Sequence, residues 1–129
     1  ETKSSLYQQK KLRGRFAHQP VEVLSHPSVT RLSHTAFRVL ILLSGQFSGK
    51  NNGALGITAD QARELGIKSE TTLYAALKKL EEAGLIEPTR PASRVPPRPT
   101  LYALAWRPLD DTKHTTATRT PSHAYRTKN

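Results

Sequence analysis

The segment from Thr58 to Trp106 constrains the fold more than any other part of this 129-residue chain. Two helical patterns stand next to each other in it, with Gly66 at their junction. Thr58 is an N-cap residue with Gln61 three positions on, the spacing of a weak capping box. Ala62 and Leu65 are then expected to form the buried face of the first helix. Gly66 ends this helix, since glycine takes the left-handed conformation without a Cβ penalty. Ile67 points back into the core. Ser69 caps a second helix predicted over 70–83, with Glu70 in the first turn, where a carboxylate suits the helix dipole. Leu73, Ala76, Leu77 and Leu80 recur at helical spacing and form its inner stripe. Its outer face carries Glu70, Thr71, Tyr74, Ala75 and Lys78, and Gly84 stops it.

Two strand patterns follow. Leu85-Ile86-Glu87 starts the first, and Pro88 cuts it short or confines it to an edge, because proline has no N–H for a ladder. Thr100 to Trp106 is the second. Leu101, Ala103 and Ala105 share one of its faces, and Tyr102, Leu104 and Trp106 the other. Between the two strands, residues 91–99 hold four prolines and two arginines.

Upstream lies the most apolar segment, 33–47. Ser33 is its N-cap. Phe37, Leu40, Ile41 and Phe47 recur at helical spacing, with Ala36, Leu43 and Ser44 near the same face, and Gly49 is the expected stop. This is the predicted core helix. Val21, Val23 and Leu24 form a short apolar lead-in that Pro27 ends, and Ser28 is placed to cap a brief turn. Lys50-Asn51-Asn52-Gly53 is turn chemistry. Leu55-Gly56-Ile57 reads as a short third strand beside the hairpin. Gly45 to Asn51 is not a phosphate loop, because the spacing is one residue short and no Ser or Thr follows Lys50.

The fold class expected is mainly α with a small β-hairpin wing, an α+β chain. The expected organisation is a basic N-terminal arm over 1–19, one domain over 20–108, and a flexible polar and basic C-terminal tail over 109–129. Lys and Arg outnumber Asp and Glu by 20 to 10, which suggests a polyanionic partner. The excess is uneven: residues 1–20 carry five cations against one acid, 107–129 five against two, and 21–106 ten against seven. Most of the excess therefore sits outside the middle. The chain has no cysteine, so thiolate metal sites and disulfides are excluded. The longest apolar run, Val39 to Leu43, is far too short for a bilayer. A soluble, cytoplasmic, nucleoid-associated protein with no membrane contact is expected.

The pattern Ala62-x-x-x-Gly66-Ile67 followed by Ser69 to Leu73 resembles a helix-turn-helix. Its turn is one residue longer than in the simplest form of the motif. With the hairpin 85–106 added, residues 28–108 resemble a winged helix-turn-helix domain. More narrowly, the chain resembles helix-turn-helix proteins of bacterial phages, plasmids and integrated elements, some of which form the N-terminal part of replication initiators. The residues that carry this likeness are Leu32-Ser33-x-Thr35-Ala36, Asn51-Asn52-Gly53-x-Leu55, Thr72-Leu73-Tyr74-x-Ala76-Leu77, Glu82-Ala83-Gly84-Leu85-Ile86 and Leu101-Tyr102-Ala103-Leu104-x-Trp106.

The resemblance implies sequence-specific binding of double-stranded DNA, with helix 69–83 in the major groove and wing 90–99 in the minor groove. The residues expected to serve the helix contact are Lys68, Ser69, Thr71, Thr72, Tyr74, Ala75, Lys78 and Lys79. Ser69 and Thr72 suit phosphate, Thr71 and Tyr74 suit bases, Ala75 suits a thymine methyl, and Lys78 and Lys79 suit phosphates. Relatives often have Arg at the position of Ala75, so guanine readout is weakened here. The plain alternative is a helix cap at Ser69 and a solvated lysine face. In the wing the candidates are Arg90, Arg94 and Arg98, since a narrow minor groove attracts arginine. In the arm they are Lys10, Lys11, Arg13 and Arg15. The role implied is transcriptional regulation on a mobile element. The alternatives are an origin-binding module of a replication initiator and a winged-helix protein-interaction module. A homodimer, and a protein partner taken up through the tails, stay open. No cofactor, metal site or catalytic residue is expected: His18, His26, His34, His114 and His123 are dispersed, and no nucleophile motif is present.

Overall fold

The computed structural model describes residues 16–95 and 97–127. Two single-turn helices open it: α1 over Val21–Ser25 and α2 over Pro27–Thr30. The lead-in is thus helical on both sides of His26, and His26, not Ser28, supplies the cap. Its Nδ1 accepts from the Ser28 N–H at 3.1 Å. Pro27 at the first helical position loses nothing by lacking an N–H there.

Helix α3 spans His34–Gly45, and the Ser33 hydroxyl accepts from the Ala36 N–H as expected. Its buried stripe is Ala36, Val39, Leu40, Leu43 and Ser44. Phe37 was expected on that stripe, but it lies off its edge and is 37% exposed. Helix α4 spans Ala59–Glu64, with both halves of the Thr58–Gln61 capping box formed; Ala62 is buried as expected, but Leu65, just past the helix end, is exposed. Gly66 turns the chain at φ +94°. Helix α5 spans Glu70–Glu82, with Ser69 capping Thr72 N–H and Leu73, Ala76, Leu77 and Leu80 buried.

The sheet is small and antiparallel. β1 (Ile86–Arg90) pairs with β4 (Leu101–Leu104), and the register pairs Ile86 with Leu104, Glu87 with Ala103, and Pro88 with Tyr102. Leu55 bridges Tyr102 from the far side through two backbone bonds, of 3.1 and 2.7 Å. That fulfils the expected third strand as a single bridge, and it explains how β1 runs on through Pro88. The backbone groups of Tyr102 point at Leu55, so Pro88 faces a non-hydrogen-bonded position on an outer strand, where a missing N–H costs nothing. Beyond β1 the chain continues as a narrow ribbon, β2 (Ser93–Arg94) against β3 (Pro97–Arg98).

After Pro108 the chain does not leave the domain, contrary to the expectation of a separate flexible tail. Asp110 and Asn52 exchange two bonds: the Asn52 N–H donates to Asp110 Oδ2 at 2.8 Å, and the Asp110 N–H donates to the Asn52 carbonyl at 3.0 Å. Thr112 and Thr115 close a turn over Gly53. The His123 N–H then donates to the Ala105 carbonyl at 2.8 Å. A short 3₁₀ turn over Ala124–Arg126 seats Tyr125, which is fully buried, in a T-shaped contact with the His26 ring. Arg126 pairs with Glu22 of α1. Threonine hydroxyls satisfy this segment locally, and one tyrosine anchors it, so it shows neither helical nor strand periodicity.

The core gathers Val23 and Val29 from α1 and α2, the stripes of α3 and α5, and Leu55, Ile57, Leu85 and Ile86. Ala62, Ile67, Tyr102, Leu104, Ala105, Trp106 and Tyr125 complete it. Among the described residues, no helix is long and apolar enough to cross a membrane.

Candidate nucleic-acid interface

Helix α5 presents to solvent every residue singled out on it or just before it. Lys68, Ser69, Thr71, Thr72, Tyr74, Ala75, Lys78 and Lys79 are all exposed, and Tyr74 is 56% exposed although aromatic. The reason is geometric. With Leu73, Ala76, Leu77 and Leu80 turned inward, the 3.6-residue period puts Thr71, Ala75 and Lys78 at the centre of the outer face. Tyr74 lies on one flank of that face, with Thr72 and Lys79 on the other. Ser69 has a definite structural task, since its oxygen accepts from the Thr72 N–H at 3.3 Å. Its own O–H remains available as a donor. The face is nearly balanced in charge, because Glu70, Glu81 and Glu82 are exposed beside the three lysines.

Lys79 lines a groove of about 690 Å³ with Arg31, Ser33, Glu82 and Arg126. Arg31 was not among the expected contacts. Only its place in the fold brings it near α5, and no spacing in the sequence reports that.

The turn before α5 is braced from behind. Arg38 of α3 donates to the Leu65 carbonyl at the end of α4. Its guanidinium lies over Gly66, where an added Cβ would meet it at 3.1 Å. Gly66 is needed for its positive φ, and a side chain there would also push the Arg38 guanidinium aside by a few tenths of an ångström. On α4 itself, Arg63 and Asp60 form an exposed i,i+3 pair, a kind of contact that adds little stability.

The three arginines expected in the wing separate. Arg90 is half-buried and donates to the Pro99 carbonyl, tying the base of the ribbon together from inside. Its Nε is buried without a hydrogen-bond partner. Arg94 and Arg98 are exposed on the ribbon. Because Arg94 pairs with Pro97 and Arg98 with Ser93, the two arginines project from opposite faces. Lys10, Lys11, Arg13 and Arg15 lie outside the described residues.

Tyr102 and Trp106 are buried and belong to the core, so they offer no stacking surface. Burial pushes the Tyr102 phenol above its ordinary value of 10.0; the charge of Glu81 adds to this and a hydrogen bond with Thr100 opposes it. A second concavity of about 460 Å³ lies between Phe16, His18, Ser44, Phe47 and Arg107, where Arg107 stacks on the Phe47 ring at 4.3 Å. Among the described residues, no three His, Asp or Glu side chains gather in a way that could hold a metal ion. No protein-family model, curated protein or solved structure matches the chain.

Proposed function

We propose that the protein binds double-stranded DNA as a winged helix-turn-helix domain and regulates transcription on a mobile genetic element. The observation that carries this reading is the uncovered outer face of α5. It keeps Tyr74, Thr71 and Ala75 at the surface while every apolar residue of the inner stripe is buried. An exposed tyrosine among hydroxyls and lysines suits a base edge and its flanking phosphates.

In this reading α5 enters the major groove. Thr71 and Tyr74 meet base edges, and Ala75 packs on a thymine methyl. The hydroxyls of Ser69 and Thr72, with Lys68, Lys78 and Lys79, hold phosphates. Arg94 and Arg98 serve the minor groove from the ribbon, and Arg90 stiffens the ribbon instead of touching DNA. Lys10, Lys11, Arg13 and Arg15 add phosphate contacts from the arm. Base readout is modest and backbone contact supplies much of the affinity, because α5 offers no arginine.

Salt dependence tests the reading. A duplex held through six or so phosphates loses roughly 10³-fold in affinity between 50 and 200 mM salt. Tyr74→Ala relaxes sequence preference, whereas Lys79→Ala weakens all sequences alike. Absence of duplex binding at low salt overturns the proposal in favour of a protein-interaction module. Selection of bound duplexes from a random pool then separates the cellular roles. A two-fold symmetric site, with half-sites about one DNA turn apart, fits a dimeric regulator, and tandem direct repeats fit an origin-binding module.

A further inference from the structure

We propose that Val95, at the tip of the β2–β3 ribbon, is an apolar wedge that enters the minor groove, parts a base step and bends the duplex. The inference rests on the DNA-binding reading and goes beyond it in assigning a residue and a deformation. Val95 is 92% exposed, more than Tyr74 or any other large apolar side chain found exposed among the described residues. At that exposure its side chain contributes nothing to the core and is open to a partner.

The surroundings point to the partner. Arg94, next to Val95, and Arg98, one rung further down the ribbon, stand on opposite faces of it, and the ion pairs found among the described residues engage neither of them. The ribbon is stiffened by Pro97 and Pro99 and tied at its base by the Arg90 guanidinium on the Pro99 carbonyl. The result is a rigid apolar point with a cation on either side. The minor groove, about 6 Å wide, presents the complementary arrangement: two phosphate rails with stacked base edges between them. Apolar side chains inserted there unstack a step and kink the helix, most easily at a pyrimidine–purine step. A membrane surface is the poorer match, because one valine buries too little apolar area to hold a protein on lipid.

The test uses the full chain and a duplex of about 30 base pairs recovered by random-pool selection, labelled at both ends for energy transfer. The wild type is expected to shorten the end-to-end distance. Val95→Ser is expected to lose the bend and about tenfold in affinity, with an unchanged melting curve and an unchanged salt slope. Val95→Leu retains the bend. Arg94→Ala lowers the salt slope by about one without removing the bend. Equal bending and affinity in Val95→Ser overturn the wedge while leaving DNA binding intact, and a wild type that binds no duplex overturns the functional reading itself. Val95-dependent sedimentation with phosphatidylserine vesicles in the absence of bending overturns the wedge in favour of a lipid contact.

Discussion

Asn52 joins two parts of the chain that lie about fifty positions apart. Its Oδ1 accepts from the Leu104 N–H at 2.7 Å, and its Nδ2 donates to the carbonyls of Leu104, Arg107 and Pro108 at 2.9–3.2 Å. The side chain is fully buried, so none of these groups has water to fall back on. Leaving a buried polar group unpaired costs about 1–3 kcal/mol. Asn52→Ala is therefore expected to lower the unfolding free energy by about 3 kcal/mol, read from the urea midpoint at unchanged slope. Asn52→Asp is expected to do no better, since a carboxylate cannot donate to three carbonyls. In the sequence this asparagine reads as turn chemistry, and turn chemistry is also what it provides. Its second task is invisible there because the partner backbone is remote. Tyr102 offers a pH test. Its phenol holds the proton more tightly when folded than when unfolded, so its contribution is complete below about pH 10 and is lost as pH rises further. The Tyr102→Phe variant should lose less stability than the wild type between about pH 8 and pH 11, measured by thermal melts.

Elements whose signals lie within one helical turn were legible. Ser33, Thr58 and Ser69 are caps in the sequence and caps in the structure, and the inner stripe of α5 is the one its spacing gives. The errors arise where a neighbour decides. Phe37 has the right period for α3 but sits at the margin of the buried sector. Of the two outcomes open to Pro88, an early end or an edge position, Leu55 decides for the edge by occupying the hydrogen-bonding side of Tyr102. The same locality decides which candidate contacts survive. Sequence treats Arg90, Arg94 and Arg98 alike, and only the Pro99 carbonyl sets Arg90 apart. Ser69 carries two assignments that can be separated. Ser69→Ala is expected to cost about 1 kcal/mol of stability, whereas Ser69→Gly, which caps almost as well, costs a few tenths. If the hydroxyl also serves a phosphate, both variants lose duplex affinity equally despite their different melting temperatures. Equal affinity to the wild type in Ser69→Gly would assign the residue to capping alone.

At the scale of the molecule, the main departure from the sequence reading is the return of residues 109–127 to the core. Composition hides it, because a Thr-rich polar stretch has the profile of a solvated tail. The closure depends on Gly84. Its φ is +76°, and an added Cβ would lie 2.8 Å from the backbone of Ala124. Gly84→Ala is expected to destabilise the domain by about 1–3 kcal/mol. It should also speed protease cleavage between residues 109 and 123 well before the rest of the chain is cut. Uniform resistance of that segment would show that it docks without this close approach. The same closure sets a timetable for synthesis. Arg126 reaches Glu22 across 104 positions, and Tyr125 fills a site framed by helices made almost a hundred residues earlier. Contacts of such sequence separation form late, after the entropy of closing the chain has been met. On a translating ribosome, which adds about 5–20 residues per second, the helices and the hairpin are all outside before the piece that seals them. Until then the nascent domain keeps an open seam beside Leu85 and Ala105.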